Sequence, residues 1–176
     1  MITTLVLLSG LATARTPIPP PMPNPAQRAL YDAMKVRDQA PTCDSLSELS
    51  PDLGTDLVWL VDNAQQPPWV GIRAAQCVIR HHTEANAEVI DSWMINPLKP
   101  GLAILTIGLL DELPEPMAVR FASAALAGPL AEHATSRLGD SAHATVSALL
   151  TAPVGPEPTE AAPEEEATPV AAPSQE

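Results

Sequence analysis

The sequence is poor in aromatic residues, in basic residues and in alternating apolar patterns. Rings are carried by Tyr31, Trp59, Trp69, Trp93 and Phe121 alone. That is too few for a β-sandwich or barrel, whose strands draw on aromatic and β-branched side chains. Lys and Arg number 9 against 21 Asp and Glu, a formal charge of -12. Sequence-independent binding to nucleic acid or anionic lipid needs basic patches, so the balance argues against both partners. Period-two alternation is missing, which removes the ordinary signature of a half-buried strand. No apolar run reaches the roughly 20 residues of a membrane-spanning helix. His-Glu-x-x-His, Cys-x-x-Cys, Gly-x-Ser-x-Gly and a Gly-rich phosphate loop do not occur, so no metal, cofactor or catalytic group is expected.

What is present begins with two unusual ends. Residues 2–14 are uncharged and mostly apolar, and they close on Ala12-Thr13-Ala14, small residues at the spacing signal peptidase requires. The expectation is a signal peptide over residues 1–14, cleaved before Arg15, and therefore an exported protein, periplasmic or secreted. Residues 15–25 form a Pro-rich spacer: Pro17, Pro19, Pro20, Pro21, Pro23 and Pro25 fall within ten positions, which favours extended chain. Residues 151–176 hold Pro153, Pro156, Pro158, Pro163, Pro169 and Pro173 with six glutamates and no base. That composition cannot offset chain entropy by burial, so a disordered, solvating acidic tail is expected.

Between them, residues 26–150 carry apolar side chains at helical spacing, cut at short intervals by Pro and Gly. The pattern predicts helices over about 26–38, 45–49 continuing after a break into 52–64, 68–82, 86–95, 100–112, 115–127, and 130–150 with a break near Gly139. Sliding the chain by 47 residues superimposes Gly54 on Gly101, Pro67 on Pro114, Arg73 on Arg120 and Ala75 on Ala122. Apolar positions coincide as well, Leu57 with Ile104, Ile72 with Val119 and Ile79 with Leu126. Each unit reads as an apolar helix, a Pro-bearing turn, a second helix opening on a β-branched residue then Arg, and a short third helix.

Ile72-Arg73-Ala74-Ala75 and Val119-Arg120-Phe121-Ala122, each after a Pro turn, resemble the second helix of a HEAT repeat, and the period fits the HEAT and armadillo range. The resemblance covers about 51–144. It implies an all-α fold, a short HEAT-like α-solenoid of about two 47-residue units with capping helices, the alternative being a compact bundle built on a duplicated hairpin. It also implies that Arg73 and Arg120 brace an acid or a carbonyl of the neighbouring unit, with Asp62 and Asp111 as candidate acids. From spacing, Ile72, Ala75 and Ile79 share one helix face, with Ala75 small enough for close helix approach.

Two polar groupings hold residue types that can ligate or catalyse. His81, Glu84 and Glu88 lie within about two helical turns, but the adjacent His82 points about 100° away and cannot complete a ligand pair. His133, Ser136, Asp140, Ser141 and His143 supply triad residue types without a nucleophile elbow or oxyanion hole. The Gln65-Gln66-Pro67-Pro68-Trp69 turn reads as a contact segment, so Gln66, Trp69 and Trp93 are candidate partner-binding residues, whereas Trp59, beside Leu60, reads as core. In an exported chain Cys43 and Cys77 are expected to pair. The functional expectation is a non-enzymatic protein-protein interaction or scaffold module with protein partners. The alternatives are a structural subunit or accessory domain of an envelope complex and, behind it, a metal-binding protein or enzyme. The leader makes the first prediction: the protein isolated from its host starts at Arg15 and fractionates outside the cytoplasm, and N-terminal sequencing that returns Met1 refutes it.

Overall fold

The computed structural model describes residues 21–151. The expected leader, the start of the Pro-rich spacer and the acidic tail beyond Thr151 lie outside the described residues. Among the described residues the chain forms nine α-helices, one 3-10 turn and no strand. The helices are α1 Pro25–Met34, α2 Cys43–Leu46, α3 Leu53–Asn63, α4 Trp69–His81, α5 Ala87–Ile95, α6 Pro100–Leu109, α7 Glu115–Ala127, α8 Ala131–Leu138 and α9 Ala144–Ala148, and the 3-10 turn Leu110–Glu112 extends α6. The all-α class read from the pattern is therefore correct, and Pro or Gly marks the breaks except at the ends of α1 and α4, where neither is present.

Local chemistry accounts for the starts and stops. Asn24 caps α1 by accepting from the Gln27 amide at 2.8 Å, while Gln27 Oε1 accepts from the Asn24 amide at 2.9 Å, a reciprocal capping box. Pro25 and Pro100 stand at the first position of α1 and α6, where a missing N–H is no loss. Leu113-Pro114 separates the 3-10 turn from α7. Gly128 ends α7 against α5. A Cβ there would lie 2.6 Å from the Met94 carbonyl oxygen, so the approach depends on glycine.

One contiguous core draws on nearly every helix. Leu30 and Met34 enter from α1, Leu57 and Leu60 from α3, Val70, Ala74 and Val78 from α4, Ile90 and Met94 from α5, Phe121 from α7, Leu138 from α8 and Val146 from α9. α3 and α4 form the most extensive pair, α5 lies on α6 and α7, and α7 also packs on α8 and α9. Ala75 and Ala122 are fully buried, as the close-approach argument required. Ile79 is buried too, but Ile72 is 50% exposed, which corrects its placement in the buried stripe. Its helical face is right, but it sits in the first turn of α4, and Gly101 across from it on α6 brings no side chain to cover it. Val119, its counterpart in α7, is half-buried.

Three links bind the N-terminal segment to α3 and α4. The carboxylate of Asp56, 6% exposed, accepts from Gln27 Nε2 at 2.9 Å, Asn24 Nδ2 at 3.2 Å and Ser50 Oγ at 2.7 Å. Arg73 donates to the carbonyl oxygens of Met34 at 2.7 Å, Val36 at 2.5 Å and Arg37 at 3.1 Å. It thereby satisfies acceptors just past the end of α1. Those carbonyls turn toward Arg73 instead of continuing a helix, so α1 stops at Met34 and not near residue 38.

The third link is the expected Cys43–Cys77 disulfide, with a Cα–Cα distance of 5.6 Å. It joins the first residue of α2 to the middle of α4. Closing a loop of 34 residues stabilises by roughly 3–4 kcal/mol in the chain-entropy account. The double variant Cys43→Ala/Cys77→Ala is therefore expected to lose about that much in urea unfolding. Mass spectrometry of the unreduced parent should find no free thiol; two free thiols, or a variant of unchanged stability, contradict the link.

Candidate functional site

The acids assigned to the repeat arginines by resemblance are used elsewhere. Asp62 pairs with Lys99 at 2.5 Å, and Asp111 accepts from Ser141 Oγ at 2.6 Å and the Ala142 amide at 2.9 Å. Arg120 pairs with Asp91 at 2.6 Å, between α7 and α5, where Arg73 uses carbonyls. Each arginine holds two helices together, and their partners differ in kind.

The polar groupings are dispersed. Ser141 gives its hydroxyl to Asp111, and no hydrogen bond joins a serine hydroxyl to either imidazole of His133 or His143 among the described residues. His81 Nδ1 stands 4.0 Å from Asp44 Oδ1, and Glu84 and Glu88 are exposed. Among the described residues no three of His, Cys, Asp and Glu converge as a cation site. His82 is half-buried in a polar cleft with Ser50, Asp52, Gly54 and Asn86. Burial holds its imidazole below the ordinary value of 6.5, and the neighbouring His81 acts in the same direction, against Asp52.

Two further grooves are largely apolar. The larger, about 570 Å³, runs between the α3–α4 turn and the start of α6, lined by Val61, Pro68, Ile72, Leu98, Gly101 and Ile104 with their neighbours. Leu98 is 88% exposed and Ile104 46%. The cause is the sequence of α6, Pro-Gly-Leu-Ala-Ile-Leu-Thr-Ile-Gly-Leu, which carries no charge on any face. A helix apolar all round belongs in an interior, yet α6 buries Ala103, Thr106, Ile107 and Leu109 and leaves Gly101, Ile104 and Gly108 outward.

The second groove, about 440 Å³, lies between α1 and the end of α3, lined by Tyr31, Trp59, Asn63, Gln65 and Gln66, with Arg28, Pro21 and Pro23 on its open side. Tyr31 Oη donates to the Gln66 carbonyl oxygen at 2.6 Å, joining its walls.

These surfaces redistribute the three residues expected at a partner site. Gln66 is exposed on the second groove. Trp69 is half-buried, its Nε1 donating to the Lys35 carbonyl oxygen at 3.2 Å, so it lies as a lid over the end of α1. Trp93 is only 2% exposed and is corrected from contact residue to core, because α5 is covered by α6 on one side and α7 on the other. Trp59 is half-buried: it packs against the core, as expected, and also lines the second groove. Tyr31, Leu98 and Ile104 were not singled out. The usable signal was a surface helix without one charged residue.

No protein family matches the chain, and neither does any curated protein sequence or solved structure.

The cleft at the end of α4 yields a pH prediction. Neutral His82 is favoured in the folded state, so below about pH 6.5 the unfolded chain takes up the proton first and stability falls with pH. Glu112, held below its ordinary 4.5 by the hydrogen bond from Arg80, adds a further loss at lower pH. The melting temperature should drop between pH 7 and pH 5, and His82→Gln should flatten that interval while leaving the loss below about pH 4.5. An unchanged slope in the variant contradicts the assignment to His82.

Proposed function

We propose that the chain is an exported, non-enzymatic helical-repeat protein of HEAT type that works as a protein-protein interaction module. The observation that carries the reading is the exposed, uncharged face of α6 with Leu98 and Ile72, a contiguous apolar groove of the kind that marks an interaction surface.

Helix spacing supports the repeat. α1, α4 and α7 begin at 25, 69 and 115, α2, α5 and α8 at 43, 87 and 131, and α3, α6 and α9 at 53, 100 and 144. Three helices thus recur every 44–47 residues, and equivalent pairs pack alike, α1 on α3, α4 on α6 and α7 on α9. Repeat arrays bind through extended surfaces rather than enclosed pockets, which suits open grooves. Export is supported by the leader-like start and by the disulfide. Among the described residues no helix is long and apolar enough to cross a membrane.

The test is capture from envelope extract by the wild-type chain and by Leu98→Glu/Ile104→Glu. Both side chains are exposed, so the variant should keep its melting temperature while losing the captured protein at least tenfold. Equal recovery by both chains, or none by either, overturns the reading. A stable homo-oligomer of the wild type that the variant abolishes would favour the structural-subunit alternative.

A further inference from the structure

The Tyr31–Trp59 groove is separate from the α6 face and has a chemistry of its own. Its walls are an aromatic pair and its rim is amide-rich, with Gln65 and Gln66 exposed beside it. A polyproline-II segment offers two things to a partner: rigid rings, which pack on aromatic faces, and backbone carbonyls left without internal hydrogen bonds. The groove has a match for each. Tyr31 and Trp59 supply the faces. Arg28, exposed, brings a guanidinium to the same groove as a donor.

The chain also presents the complementary ligand at that spot. Pro21 and Pro23 already border the groove. Continuing toward the N-terminus, Pro20 and Pro17 follow Pro23 at intervals of three. Polyproline II has three residues per turn, so Pro17, Pro20 and Pro23 would form one face, and at about 3.1 Å per residue that face is roughly 19 Å long.

We propose that this groove is a polyproline-II binding site and that its occupant is the chain's own segment Thr16–Pro20, running on from Pro21 and Pro23. The tether makes occupancy intramolecular, with an effective concentration in the millimolar range for a short linker. A weak aromatic–proline contact then suffices to keep the groove filled. The carboxyl-terminal prolines and proline-rich segments of other proteins are competitors for the same surface.

The experiment reads the indole N–H resonance of Trp59 by NMR in the full chain, with Trp93, in the core, as a control for intact packing. Three chains are compared: wild type, Pro17→Ala/Pro19→Ala/Pro20→Ala, and a chain ending at Thr151. The expected result is a Trp59 shift in the proline variant with Trp93 unmoved, and no Trp59 shift in the shortened chain. Added oligoproline peptide should move Trp59 in the proline variant at concentrations that leave the wild type unchanged. An identical Trp59 resonance in wild type and proline variant overturns the proposal. So does a shift on removing residues 152–176, which would make the tail the occupant, and so does an equal response of wild type and variant to the peptide, which would mean an open groove.

Discussion

A carboxylate in a helical interior sets terms for everything near it. Asp56 is buried with no basic side chain against it among the described residues; its carboxyl oxygens accept three side-chain hydrogen bonds, and it stands in the first turn of α3, where the helix N-terminus favours an acid. The three donors come from the cap of α1, the first turn of α1 and the segment before α3. Withdrawing Ser50 strands Oδ2, and withdrawing Gln27 together with Asn24 strands Oδ1, at about 1–3 kcal/mol for each buried polar atom left unpaired. α1 is therefore held in a fixed orientation on α3 by its N-terminal end. Arg73 fixes the other end by gathering the carbonyls that follow Met34.

That two-point attachment shapes the groove beside it. With α1 fixed at both ends, Tyr31 on its outer side faces Trp59 and the Gln66 turn. The aromatic walls are thus backed by a rigid frame, which lowers the ordering cost of binding. On the far side of α4, the α6 surface arises from a different constraint. α4 packs on α6, and Gly101 leaves the start of that seam open. One groove follows from polar anchoring and the other from missing side-chain volume.

Local signals in the sequence accounted for most of the helices: Pro and Gly breaks and the 3.6-residue periodicity. The pairing of Cys43 with Cys77 was legible because two cysteines allow one intramolecular bridge. Other contacts across long separations were not legible. The Asp56 network joins positions 24, 27, 50 and 56, and nothing in the neighbourhood of Asp56 marks it as buried. Trp93 proved to be core for the same reason. Periodicity gives the face on which a side chain stands but not whether a second helix arrives to cover it. Ile72 shows this at the level of one turn, since Ile79 on the same face is buried and Ile72 is not. The repeat period aligned Arg73 with Arg120 without revealing that one meets carbonyls and the other a carboxylate.

The Cys43–Cys77 bridge also bears on how the chain can be handled mechanically. Drawn out from its ends, the bridged polypeptide keeps residues 43–77 as a closed loop spanned by 5.6 Å between Cα atoms. That withholds about 115 Å of extended length and presents three strands side by side at the widest point. Such a shape does not fit a conduit sized for a single extended strand. A chain that crosses a membrane by threading must do so with both thiols free, and once the bond closes on the far side the loop acts as a stop against sliding back.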